Sequence, residues 1–248
     1  MGRFTIQATM PKYPGELDPA SNGAPMKTLI FVGTSRQSTP PRPPRLGLRV
    51  ARACLAYFNE WLPDHQVELV DPLDLTFGAV FKPHFAYASQ QAPDQLRALA
   101  EQIEAADSYV MVSPEYNHSM SPVLAHLLNH FGSSLFSYKP SAIVTYSAGQ
   151  WGGARAAVAM RTFLSELGCL PVSAMIHIPK AQTVLAEDGS FLEGADDEEW
   201  TGYMGRTLQQ LNWWAAAARA HRQQADPFDR AQAFQRDPSQ RNAPKPPE

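Results

Sequence analysis

The chain contains only two cysteines, Cys54 and Cys169, and they form neither a CxxC pair nor part of a metal-ligand cluster. That excludes a metal site built on cysteine; two reduced, buried thiols are expected, as a reducing compartment would keep them. No apolar run approaches the roughly 20 residues needed to span a bilayer. The N-terminus has no apolar segment flanked by basic residues of the kind a signal peptide carries. Charge of neither sign dominates: 21 basic and 24 acidic residues leave a net charge of -3. This argues against a general nucleic-acid binder, which carries a basic excess, and against a very acidic electron carrier. Also missing are the GxxxxGK[ST] of a nucleotide P-loop, the GxGxxG of a dinucleotide fold and any internal repeat. The expectation is a soluble, cytoplasmic protein with no membrane or nucleic-acid partner.

What is present suits one domain of ordinary size. The 248 residues are 44% hydrophobic, enough to bury a sizeable core. Prolines at 11, 14, 19 and 25 and the closing "RNAPKPPE" mark flexible tails over 1–25 and 223–248 around a folded domain over 26–222. Within it, short apolar runs alternate with amphipathic stretches. "KTLIFVG" (27–33), "QVELVDP" (66–72), "SYVMVS" (108–113), "SAIVTYS" (141–147) and "LPVSAMIHIP" (170–179) read as strands covered on both faces. Helices are expected near 47–61, 93–106, 120–131, 153–168 and 197–220, the fourth closed by Gly168 and the last capped by Asp196 or Asp197. Five strands separated by helices predict a five-stranded parallel sheet with helices on both faces. Ligands of such sheets bind beyond the carboxyl ends of the strands.

Three loops at that edge carry unusual residues. After the first strand comes Gly33-Thr34-Ser35-Arg36, then a proline-rich stretch, then Arg45-Leu46-Gly47 at a helix start. Small and hydroxylated residues there let N–H and O–H groups surround an anion, and the helix start adds partial positive charge. After the third strand comes Ser113-Pro114-Glu115-Tyr116-Asn117-His118-Ser119, and after the fourth Ser147-Ala148-Gly149-Gln150-Trp151-Gly152-Gly153-Ala154-Arg155. Glycines at 149, 152 and 153 remove side chains where something must approach the backbone. One phosphate pocket and two backbone-lined walls fit a flat heterocycle with a phosphate tail.

These three loops, in this order and spacing, resemble the NAD(P)H-dependent FMN reductase family of flavodoxin-like fold, which includes flavin, quinone, azo-dye and chromate reductases. Its motifs read G-S-x-R, [ST]-P-E-Y-N-x-[SG] and S-x-G-x-x-G-G-x-R, and the match runs over about residues 27–178. The resemblance implies a doubly wound α/β fold that binds FMN. Thr34, Ser35, Arg36, Arg45 and Gly47 would hold the phosphate; Pro114, Glu115, Tyr116 and Asn117 would line the flavin ring. Ser147, Gly149, Gly152 and Gly153 would pass its pyrimidine side. It implies NAD(P)H as co-substrate, a ping-pong transfer to a flavin, quinone or similar acceptor, and a homodimer or homotetramer. The chain departs from the family in the extra, proline-rich residues between Arg36 and Arg45, and in Ala125-His126 where the family often has Lys-Asn.

Other readings compete with this one. A flavodoxin-type electron carrier would bind FMN but not oxidise NAD(P)H. A flavin-binding regulatory protein would report its redox state to a partner. His118 and Trp151 stand beside the proposed ring as candidate substrate contacts, against a plain loop residue and a subunit contact. His126 and His130 have the spacing of a helical metal pair, but Leu127 stands where a zinc protease has its Glu, and no metal site is expected. Trp213-Trp214 reads as packing or dimer surface, and the prolines at 40, 41, 43 and 44 as a stiff loop. No His/Asp or Cys/His arrangement for covalent catalysis is present near the loops.

Overall fold

In the computed structural model, which describes residues 24–37, 45–78, 80–88 and 91–229, the first apolar run forms β1 (Met26–Val32). It is followed by α1 (Leu46–Trp61), β2 (His65–Val70), α2 (Asp94–Ala105), β3 (Ser108–Pro114), α3 (Pro122–Asn129) and a single-turn α4 (Ser133–Phe136). Then come β4 (Pro140–Tyr146), α5 (Ala154–Glu166), β5 (Leu170–Ile178), a single-turn α6 (Ala181–Val184) and α7 (Asp197–Arg222). The tails expected over 1–25 and 223–248 lie outside the described residues, apart from residues 24–25 and 223–229. So does the proline-rich stretch 38–44.

All five strands pair in parallel, in the order β2-β1-β3-β4-β5. This is the flavodoxin-like doubly wound order. Alternation along each strand feeds two cores. Ile30 and Val32 point to the face covered by α1, α6 and α7. Leu29 and Phe31 point to the face covered by α2, α3, α4 and α5. Because both faces are covered, the central strands β1, β3 and β4 read as nearly unbroken apolar runs, while the edge strands β2 and β5 alternate. Phe31 and Phe58 are fully buried, and truncating a phenylalanine so placed costs about 3–5 kcal/mol.

The helix ends follow local chemistry. Gly168, at φ 99°, closes α5: its N–H donates to the Ser165 carbonyl, and the Cys169 N–H reaches back to Leu164. That is the Schellman pattern, which needs a left-handed residue at its turn. Asp196 caps α7 by accepting from the Glu199 N–H at 2.9 Å. The stripe Met204, Leu208, Leu211 and Ala215 is buried, with Trp200 partly buried beside it. Cys54 and Cys169 are free and buried. Burial pushes both thiols up to about 12, so neither is a ready nucleophile. None of the described helices is long and apolar enough to cross a membrane.

The segment between β2 and α2, residues 71–93, was not legible in the sequence. It contains two single 3₁₀ turns, Pro72–Asp74 and His84–Ala86. The segment is fastened by rings: Phe77 stacks on His130 at 4.1 Å, and Phe81 meets His130 at 4.6 Å and His126 at 5.6 Å. The two histidines of "HLLNH" are thus packing groups. Among the described residues no three possible ligands gather around a metal.

Candidate functional site

β1 and β3 lie side by side, and the chain leaves them for opposite faces, to α1 and to α3. Their carboxyl ends form the topological switch point, where a crevice opens in this architecture. The three loops converge on it.

The first loop begins with Gly33, whose N–H donates to the Val112 carbonyl at 2.7 Å. A Cβ there would run into that same carbonyl, so only glycine allows the approach. Thr34 is buried, while Ser35 and Arg36 are exposed. The Arg36 N–H donates to Thr34 Oγ1 at 3.2 Å. Arg45 holds Asp71 in a bidentate pair, at 2.6 and 2.9 Å, and also donates to the Thr34 carbonyl. Its charge is therefore matched in place by Asp71, and the pair pins the far end of the loop to the end of β2. Its Nε is buried without a partner among the described residues.

Gly47 lies against Tyr146, and a Cβ on it would overlap the Tyr146 hydroxyl and the Thr34 methyl. Burial pushes the Tyr146 hydroxyl well above its usual range, against its hydrogen bond to Thr34. Tyr146 is thus a neutral floor under the loop. Above it, α1 starts with no side-chain cap among the described residues and no acid in its first turn. The first N–H groups of a helix have no partners within it, so this start presents donors and positive potential.

The second loop explains why a buried strand opens into Pro-Glu-Tyr-Asn-His. Tyr116 and Ser119 bond reciprocally, at 2.9 and 2.8 Å. Asn117 and His118 between them have φ of 48° and 62°. This is a two-residue turn of the I′ kind, which needs positive φ at both central positions. Asn accepts that conformation readily. His does not, and a side chain held there costs on the order of 1–3 kcal/mol. The turn ends at Ser121, which caps α3 by accepting from the Leu124 N–H at 3.0 Å and donates to the Gly33 carbonyl at 2.6 Å. One hydroxyl so joins the second loop to the first.

Glu115 joins the second loop to the third. Its Oε2 accepts from the N–H groups of Arg155 at 3.2 Å and Ala156 at 3.3 Å, at the start of α5. Its other oxygen faces the Arg155 guanidinium at 3.5 Å. Gly153, at the N-cap of α5, offers no side chain of its own, so a residue 38 positions earlier caps the helix.

In the third loop Ser147 Oγ donates to the Gly149 carbonyl at 2.8 Å and accepts from the Gly152 N–H at 2.9 Å. Gly152 and Gly153 have φ of 60° and 78° and lie against His177 and Thr145, leaving no room for side chains. Gly149 faces open space. His177 shares a hydrogen bond with Thr145 Oγ1 at 2.8 Å, and burial, then Arg206, hold its imidazole below the usual range. Trp151 is exposed, with the Arg155 guanidinium 5.2 Å from its ring centre.

The expected residues thus come together. Thr34, Arg45 and Gly47 surround Tyr146; Pro114 pairs in register with Tyr146; Glu115 is bonded to the glycine loop. Tyr116, Asn117, His118 and Trp151 form an exposed rim. Sequence reasoning missed Ser121, whose Ser-Pro start of a helix was a usable signal. It also missed Tyr146 and Asp71, which sit at strand ends without any motif of their own. The chemistry available is positional: N–H donors, an open helix start, an exposed arginine and apolar walls.

The family profile described as NADPH-dependent FMN reductase matches residues 26–183. The chain belongs to this family. An NAD(P)H-dependent FMN reductase of Pseudomonas aeruginosa is 33% identical over 131 residues, which are 51% of this chain and 69% of that protein. The quinone reductase of Escherichia coli is 40% identical over 81 residues, 32% of this chain and 43% of that one. In fold, the chain is similar to the FerB flavoenzyme NAD(P)H:(acceptor) oxidoreductase of Paracoccus denitrificans, at 20% identity and a TM-score of 0.58, covering 77% of this chain and 98% of that one. As an FMN reductase family member the chain is an oxidoreductase, with FMN as the flavin and NAD(P)H as the nicotinamide to be accommodated. The residues fit that flavin. Gly47 lets the start of α1 lie directly on Tyr146 and Thr34, and that start, with no side-chain cap among the described residues and no acid in its first turn, suits an anion.

Proposed function

We propose that this FMN reductase family member passes hydride from NAD(P)H through bound FMN to a quinone or flavin acceptor in a ping-pong cycle. The observation that carries the reading is the start of α1 beside Thr34-Ser35-Arg36, with no side-chain cap among the described residues and no acid in its first turn. Thr34, Ser35, Arg36 and the first N–H groups of α1 hold the phosphate, with Arg45 bracing the loop through Asp71. Pro114 to Asn117 and Ser147 to Gly153 line the ring from two sides with backbone polar groups. The flavin supplies the redox chemistry when bound, so the chain needs no nucleophile. Its residues would hold the ring where the nicotinamide and then the acceptor can approach it. His118 and Trp151, on the rim, contact the acceptor.

A homodimer or homotetramer fits the surface. A cleft of about 770 Å³ is lined by Phe85, Met120, Phe131 and Phe163 among others, and Val158 and Trp151 are exposed elsewhere on the surface. Apolar surface of this kind marks an interaction site. The cytoplasm is the compartment that matches two free thiols and an NAD(P)H supply.

The test is direct. The protein is loaded with FMN and mixed without oxygen with NADPH and with NADH. Immediate bleaching of the flavin is expected, with parallel double-reciprocal plots against a quinone. Flavin that binds but stays oxidised would make the protein a carrier. Intersecting plots would replace the ping-pong cycle with a ternary complex. His118→Ala should raise the acceptor KM more than it slows flavin reduction.

A further inference from the structure

In the function proposed for this chain, the loop before α5 lines the pyrimidine side of the flavin, and the role assigned to Glu115 rests on that reading. A helix start carries about +0.5 charge, and Arg155 in the first turn of α5 adds a full charge. Left alone, that end would draw electrons onto an adjacent flavin. It is not left alone. Glu115 places a carboxylate on the Arg155 and Ala156 N–H groups and faces the Arg155 guanidinium. Only 15% of its side chain is exposed, so water screens it weakly.

A cap for α5 needs no charge and no distant residue. Ser, Thr or Asn at the N-cap itself serves most helices. Here that position is held by Gly153, whose φ of 78° and contact with Thr145 forbid a side chain. The cap therefore comes from the neighbouring loop, and it comes as an anion.

We propose that Glu115 is a positioning residue that sets the flavin's reduction potential, its carboxylate cancelling the positive end of α5 while it clamps the two ring-lining loops together. Reduction by hydride brings two electrons and one proton, so the cofactor gains one unit of negative charge. A nearby carboxylate opposes that gain, and a nearby arginine favours it. Removing the charge of Glu115 while keeping its shape raises the affinity for reduced flavin relative to oxidised. Removing the charge of Arg155 does the reverse. A single unit charge in a partly buried site beside the ring changes that ratio on the order of tenfold.

The experiment uses the full chain loaded with FMN, with the potential measured by equilibration against reference dyes. Glu115→Gln, whose amide oxygen still accepts from the α5 N–H groups, is expected to raise the reduced-to-oxidised affinity ratio about tenfold, about 30 mV for a two-electron couple. Arg155→Gln is expected to lower it. A rise below threefold in Glu115→Gln, or a fall, overturns the proposal; so does a rise in Arg155→Gln. If Glu115→Gln does not fold or keep its flavin, the exposed Arg155→Gln carries the test by the same criterion of sign. A wild-type chain that binds no FMN overturns the flavin reading and this proposal with it, whereas a loaded protein whose potential does not move overturns this proposal alone.

Discussion

Two helices begin at the same edge of the sheet and are treated in opposite ways. α1 starts with no side-chain cap among the described residues and no acid in its first turn, with a glycine that packs directly on Tyr146 and Thr34. α5 starts with two of its N–H groups already bonded to Glu115. Both starts carry the same backbone dipole. The difference lies in which one has its donors satisfied from within the protein. A helix start that is satisfied internally serves the fold. One that is left open can serve an anion, which is why the proposed function gives the phosphate to α1 and the flavin ring to the loop before α5.

The most severe way to break this contrast is to close the open helix. Gly47→Val puts carbon where Tyr146 and Thr34 already are. Overpacking of that kind costs up to about 3 kcal/mol of stability, so the melting temperature should fall by several degrees, and FMN affinity measured by fluorescence quenching should fall with the displaced Thr34 loop, riboflavin affinity falling less. Next is the charge at the same end. Arg36→Ala removes one charge-assisted hydrogen bond of about 2 kcal/mol and should weaken FMN about 30-fold while leaving riboflavin nearly unchanged. Equal losses for both ligands would show that Arg36 supports the loop instead of the phosphate.

Opening the closed helix is a smaller change. Glu115→Ala strips the cap from α5, a loss of about 1 kcal/mol, or about 3 °C in melting temperature for a domain of this size. FMN and riboflavin should weaken together, because the loop and not the phosphate site is loosened. The smallest effect is on pH. His177 supports Gly152 from below, and its folded-state pKa lies under 6.5. Above pH 6.5 the imidazole is neutral folded or unfolded, and that contribution to stability is complete. As pH falls from 6.5 toward the lower folded value, the unfolded chain takes the proton first, and stability is lost. Melting temperature should therefore drop between pH 7 and 5, less steeply in His177→Gln. His65 and His130, also held low by burial, add slope in the same direction.

The same contrast separates what could be read along the chain from what could not. The three central strands were legible because each is buried on both faces and so reads as an apolar run, and the edge strands β2 and β5 because apolar residues recur in them between exposed ones. The long helices were legible from spacing and from end signals such as Asp196 and Gly168. The three loops were legible as motifs, because glycines at 33, 47, 152 and 153 are required by close backbone approach and have no substitutes. The cap on α5 was not. Glu115 and Ala156 are 41 residues apart, and nothing in either stretch names the other. The same holds for Ser121 on Gly33, for Arg45 on Asp71, and for the rings that fasten residues 71–93 to His126 and His130.

By itself, then, the sequence determined the layers, the strand count and the edge at which a ligand would sit, since these follow from hydrophobic period and from glycine, both of which act over a few residues. Only the tertiary structure decided which helix start stays open and which is closed, because that depends on side chains brought together across the sheet by the packing of both cores. A charge such as that of Arg45 looks available in the chain and is matched in the fold, and a carboxylate such as that of Glu115 finds its partners only once β3 and β4 lie side by side.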